Sequence, residues 1–280
     1  SPHVAPWRLS FDLPFIYTHI DTPAEAAVVV TIGIYALAAI FNLRIPDTGA
    51  RYPGRTSNPF TLLRIFWHCN LTLWRDPLGQ IALAVTTLFW GAGASLQFLV
   101  LKWAEHQLDM RLDQATRLQG VVALGVALGA VLAASWVPLR RSLRVLPLGV
   151  AMGFAIMLMT IVHNEAMAML VLLVIGILSG FFVVPMNALL QHRGYVVMSA
   201  GNSIAVQNFN ENLNILVMLS FYALMLWLDL PINTVAVLFG LAVASVMLLV
   251  ILWHRRNQRR FDSEVHIGED PRHGNIPTPH

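Results

Sequence analysis

The chain has 280 residues, of which 56% are hydrophobic and only 12% charged, with a mean hydropathy of +0.63. The charged share is about half that of an ordinary globular domain, which excludes a soluble fold. A net charge of +3 and a pI near 9.4 suit nucleic acid in the abstract, but the placement of the basic residues assigns them to membrane topology.

Residues 1–25, rich in proline and aromatics, read as an extracytoplasmic loop entering a span. They carry no initiator methionine and no signal peptide, so the expectation is the later part of a longer protein. Seven long, nearly charge-free apolar segments follow at 26–43, 78–101, 119–137, 145–162, 167–190, 202–228 and 235–253. A bilayer core of about 30 Å needs about 20 helical residues, and each segment is near or above that length. The fold class is therefore all-α, a polytopic membrane protein with seven transmembrane helices.

The longest connection, 44–77, has two parts. Residues 44–58, with Pro46 and Pro53, form a linker. The stretch "PFTLLRIFWHCNLTLW" (59–74) then puts Leu62, Phe66, Leu73 and Trp74 at helical spacing on one side. It reads either as an amphipathic helix in the cytoplasmic interface or as a helical cap on the next span. In the second span Trp90 and Gln97 lie two turns apart, with Gly91 and Gly93 leaving room for close approach. Gly125 and Gly129 form a GxxxG pair, as do Gly149 and Gly153, which permits close helix contact in lipid. Pro185 removes a backbone donor inside the fifth span, with Asn187 and Gln191 just beyond it.

The tail, 255–280, is read as a disordered cytoplasmic segment. Its His266, His273 and His280 are irregularly spaced, which argues against a metal site. The single cysteine, Cys69, allows no intrachain disulfide.

Fourteen of the 18 basic residues sit after odd-numbered spans: Arg44 to Arg75, Arg140 to Arg144, Arg193, and Arg255 to Arg272. The opposite loops hold only Arg8, Lys102, Arg111 and Arg117. The positive-inside rule places the odd-numbered ends and the C-terminus in the cytoplasm.

The sixth span is the anomaly. At 100° per residue Ser203, Gln207, Asn210, Glu211 and Asn214 share one arc, while Asn208 and Asn212 point to the other flank. Glu211 falls roughly 15 Å deep. An ionised carboxylate there costs at least about 2.5 kcal/mol, so it needs water, a cation or a donor. Amides that clasp neighbouring helices are the simpler reading. So many polar side chains over three turns favour a hydrated cavity wall, polar in its cytoplasmic half and apolar beyond. With Trp90, Gln97 and Asn187 they outline one site.

Three stretches, "LFWGAG" (88–93), "GFFVVPMNALLQHRG" (180–194) and "AGNSIAVQNFNEN" (200–212), resemble the bacterial lysophospholipid transporter family of the major facilitator superfamily. The resemblance runs from about residue 24 to 254. It implies a twelve-helix fold in two halves, of which these spans match helices six to twelve. On that alignment 26–43 is the last helix of the N-terminal half, 44–77 the central cytoplasmic loop, and 78–254 the C-terminal six-helix half.

The resemblance implies a flippase of the bacterial inner membrane. Such a protein moves lysophospholipids such as lyso-phosphatidylethanolamine from the outer to the inner leaflet, where a separate acyltransferase reacylates them. It also implies that Trp90, Gln97, Asn187, Gln207, Asn208, Asn210, Glu211 and Asn214 face the substrate, with no cofactor and no metal. Gln97 departs from the pattern, since members can carry a basic residue there to meet the phosphate.

The competing readings are another superfamily exporter of drugs or metabolites, an enzyme, a heptahelical receptor, and a non-transporting membrane fragment. No histidine has an aspartate five positions later and no GxSxG occurs, which argues against an acyltransferase or serine hydrolase. The only lysine, Lys102, lies at a span's end, which argues against a retinal protein.

Overall fold

The computed structural model describes residues 23–45, 58–260 and Ile267. The readings made above for 1–22, for the linker at 46–57 and for the tail beyond Arg260, Ile267 excepted, lie outside the described residues.

Every regular element among the described residues is helical. In chain order they are α1 (Pro23–Asn42), α2 (Pro59–Arg75), α3 (Gly79–Gln107), α4 (Leu112–Trp136), α5 (Leu146–Leu158), α6 (Glu165–Val197), α7 (Ala200–Trp227) and α8 (Ile232–Arg260). Short 3₁₀ turns, Leu139–Val145 and Met159–Ile161, extend α5 at both ends. Among the described residues seven stretches, α2 aside, are long and apolar enough to cross a membrane. The chain is an all-α polytopic membrane protein.

The helices outrun their apolar windows because polar ends continue the turn at the membrane surface. α4 begins at Leu112, where Gln114 Oε1 accepts from the Arg111 N–H at 3.1 Å. Asn164 Oδ1 caps α6 through the Met167 N–H at 2.8 Å. α8 runs through Arg255 and Arg256 to Arg260, so the tail read as disordered from 255 begins as helix. Cations in a last turn suit the negative end of the helix dipole. Pro185 sits inside α6 without ending it.

α1 belongs to a unit separate from the other helices, and its described side chains are largely exposed. The remaining helices form the second unit, in which α4 packs on α6, α3 on α7 and α5 on α8. Glycines make the first and last of these contacts possible. A Cβ on Gly125 would meet Leu173 O at 2.6 Å, and one on Gly176 would meet Gly125 Cα at 3.0 Å. One turn further, Gly129 lies against Ile177 and Phe181, and Gly180 against Val126 and Ala130. The GxxxG pair on α4 therefore meets a second pair, Gly176 and Gly180, on α6, and the two backbones touch over two turns. On α5, Gly153 lies against Gly240 and Ala244 of α8. Without a hydrophobic drive in lipid, such close van der Waals contact is what associates helices.

The interior holds two apolar clusters. One, around Leu99, Trp103, Leu172 and Phe239, fills the end where α4 and α6 begin. The other, around Leu73, Ile81, Leu146 and Leu189, fills the end near α2 and also contains Ile267. α2 is a helix of its own, separated from α3 by residues 76–78. Asn58 Oδ1 caps it through the Phe60 N–H at 3.0 Å. Its inner face, with Phe66, Cys69 and Leu73, packs on the bundle, while Phe60, Leu63 and Trp67 stay exposed.

Candidate functional site

Each polar side chain of α7 has a distinct environment, and the arc expected to be a wetted wall turns inward. Asn210, only 8% exposed, donates from Nδ2 to Asn70 Oδ1 of α2 at 2.8 Å. Its Oδ1 accepts from Trp74 Nε1 at 3.1 Å. Trp74 in turn stacks on Trp253 of α8, with ring centroids 6.5 Å apart and planes 9° from parallel. Phe66 meets Phe209 edge-on at 5.2 Å. Asn210 thus holds α2 against the bundle and does not line an open chamber.

Asn214 donates from Nδ2 to Thr87 O of α3 at 2.8 Å, beside the close approach of Gly91 to Asn214 and Met218. Gln207 Nε2 donates both to Asn187 Oδ1 of α6 at 3.2 Å and to Glu211 Oε1 at 2.8 Å. Glu211 is 8% exposed. These residues tie α7 to α2, α3 and α6. The hydrated-wall expectation for this arc is corrected: the simpler clasping reading describes Asn210, Asn214 and the Gln207–Asn187 pair. Buried amides need partners, and other helices supply them here.

The other flank of α7, on which Asn208 was expected to face the substrate, is the open one. Asn208 and Asn212 are exposed, and Asn212 Nδ2 spends one bond on Asn208 O at 2.7 Å. On α3, Trp90 is 45% exposed and Gln97 is exposed as well. The contacts of Thr87 and Gly91 with Asn214 and Met218 make α3 and α7 parallel neighbours. At 100° per residue those contacts turn Asn208 and Asn212 to the same side of the pair as Trp90 and Gln97. In order along the membrane normal the open side carries Asn208, Asn212, Trp90 and Gln97. Gln97 is fixed by α4: its Nε2 donates to Gln119 Oε1 at 3.3 Å, and Gln119 Nε2 donates to Gln97 O at 2.8 Å. The arrangement offers amide donors and acceptors and an aromatic edge on an otherwise apolar surface.

The candidate residues therefore divide. Trp90, Gln97 and Asn208 share the open face, Gln207, Asn187 and Glu211 form a chain behind it, and Asn210 and Asn214 face neighbouring helices. Sequence reasoning left out Asn212 and Gln119 from the site, and Asn70 as the partner of Asn210. An i, i+4 amide pair on the less polar flank was the available signal for Asn212.

Asn210→Leu is expected to free α2 without disrupting the membrane helices. It removes two interhelical hydrogen bonds worth about 0.5–1.5 kcal/mol each and leaves Asn70 unpaired. Limited proteolysis should cut the α2 segment faster in the variant, while the core of α3–α8 stays protected. Equal cutting rates would show that the clasp does not hold α2.

The chain is 38% identical over 225 residues to the lysophospholipid transporter LplT of Escherichia coli O157:H7, a match covering 80% of this chain and 56% of that protein. It is 43% identical over 201 residues to the lysophospholipid transporter LplT of Yersinia enterocolitica serotype O:8, covering 71% of this chain and 50% of that one. The chain spans about half the length of the curated relatives it matches. No protein-family model matches the chain, and no solved structure does.

Proposed function

We propose that this chain forms the substrate-handling part of a lysophospholipid transporter. The cargo is a single-chain phospholipid such as lyso-phosphatidylethanolamine, moved from the outer to the inner leaflet of a bacterial inner membrane. The observation that carries the reading is the open side of α3 and α7, where Asn208, Asn212, Trp90 and Gln97 offer polar contacts between apolar surfaces. The likeness to the two LplT proteins supports the substrate class.

In this reading the phosphodiester head moves along the amides while the acyl chain stays against exposed Ile204, Leu213 and Leu216. A head group sharing one hydrogen bond after another never meets bare hydrocarbon, which lowers the cost of crossing. Glu211 acts by position: it accepts from Gln207, which also holds Asn187, and so sets α7 against α6. The fold proposed is the major facilitator arrangement, with α1 as helix six and α3 to α8 as helices seven to twelve. The charge asymmetry supports a cytoplasmic α2 and C-terminus. It survives setting aside Arg193, which is buried in an ion pair. The resemblance adds an acyltransferase as consumer of the delivered lipid.

The double variant Asn208→Ala/Asn212→Ala is the test. Both side chains are exposed, so the fold is expected to persist and membrane insertion to be normal. With about 0.5–1.5 kcal/mol lost per head-group hydrogen bond, uptake of labelled lysophospholipid into spheroplasts should fall about tenfold. Wild-type uptake by the double variant would refute the site.

A further inference from the structure

The open side of α3 and α7 does not end at Gln97. Beyond it, on the membrane face opposite α2, the end of α3, the start of α4 and the end of α7 line an open-sided cavity of about 640 Å³. Phe98, Leu101, Tyr222 and Leu226 line its apolar part, and Lys102, Glu105, Asp109 and Arg111 its charged part. That volume falls in the range of small-molecule sites. Two cations and two carboxylates above an apolar floor match a ligand with a phosphate, an ammonium and one hydrocarbon chain.

The charged groups are available. Lys102 meets Glu105 at 3.4 Å and Arg111 meets Asp113 at 3.2 Å, both as exposed pairs. Exposed pairs are worth little, so a phosphate can displace either carboxylate. Asp109 makes no ion pair with any described residue. Its backbone is left-handed, φ 51°, just past the end of α3. Glycine is the residue that occupies this conformation without strain, and a carboxylate there also faces the negative end of the helix dipole. Asp109 is thus locally disfavoured on two counts, which directs attention to its place on the cavity wall. Asp229, past the end of α7, has the same φ of 51° but does not line the cavity.

We infer that this cavity is the loading station for the zwitterionic head of a single-chain phospholipid, with Lys102 and Arg111 taking the phosphate and Asp109 the ammonium. The inference rests on the transport reading above and gives that path its outer end, one step before Gln97.

The test uses the chain in lipid nanodiscs with a lysophosphatidylethanolamine bearing a photoreactive diazirine in its acyl chain, the labelled residues being mapped by mass spectrometry. Label is expected within 98–115 and 222–226. Lys102→Glu/Arg111→Glu should lower it about tenfold through loss of charge-assisted contacts. Asp109→Gly should raise the melting temperature yet lower the label, Asp109→Asn should lower the label alone, and Asp229→Gly should raise the melting temperature with the label unchanged. Free glycerophosphoethanolamine should compete poorly, since it lacks the chain that the apolar floor takes. Label spread evenly over the lipid-facing helices overturns the inference, as do identical behaviour of the two glycine variants and full competition by the soluble head. Loss of uptake in Asn208→Ala/Asn212→Ala with label retained supports both readings. Normal uptake in a chain whose cavity takes no label overturns only this one.

Discussion

Gly180→Leu leaves the chain unable to assemble its membrane bundle. A side chain at 180 would enter the backbone of α4 at Val126 and Ala130, and the facing Gly129 is pressed equally against Ile177 and Phe181 of α6. Backbone cannot rotate away as a flexible side chain can, so the two helices must separate over both glycine turns. Overpacking a close contact costs about 1–3 kcal/mol, and more when whole helices must move. Native proteins hold only about 5–15 kcal/mol in reserve. The expected result is loss of monodisperse protein on size-exclusion chromatography after mild detergent extraction. Gly120→Leu is the control, because nothing lies within 4 Å of a Cβ there. Normal recovery of Gly180→Leu would show that α4 and α6 do not pack through their glycines.

That pair of glycine motifs also shows where sequence reading stops. Gly125 and Gly129 were visible as a close-packing signal, but spacing along one helix names no partner. Gly176 and Gly180 become meaningful only when α6 lies alongside. The membrane spans were legible because about 20 apolar residues in a row have few other uses. Their ends were not, because capped and charged turns such as Arg255 to Arg260 lower hydropathy without breaking the helix.

The polar arc on α7 was legible as a period and illegible as a direction. Periodicity states which residues share a face, not whether that face meets water or another helix. Asn210 was settled by Asn70, a residue 140 positions away on a helix whose own docking was undecided. On the open flank Asn208 was expected to face the substrate, while Asn212 one turn further was left out, because five polar residues on one arc outweigh a flank of two amides.

Arg193 makes the same point with larger consequences. In the sequence it counts as one more basic residue after a span, yet its side chain and that of Asp76 are each 9% exposed. Its Nη2 and Nε donate to Asp76 Oδ1 and Oδ2 at 2.6 and 3.0 Å, a forked pair. Asp76 Oδ2 also accepts the Gly79 N–H at 2.7 Å. Asp76 therefore ends α2 through its backbone N–H to Thr72 O, while its carboxylate starts α3 and anchors the far end of α6. Arg193→Ala would leave that carboxylate buried without its cation, a change that costs about 3–5 kcal/mol. Arg193→Lys should recover only part of the loss, since an ammonium cannot form the fork. Removing both charges in Asp76→Asn/Arg193→Met should be milder than Arg193→Ala alone, because the asparagine oxygen can still cap Gly79 and no charge stays buried. Thermal unfolding in detergent, followed by helical circular dichroism, measures all three. If Arg193→Ala melts with the wild type, the pair does not hold α3 to α6. If the double variant is the worse of the two, the cost lies in packing and not in an uncompensated charge.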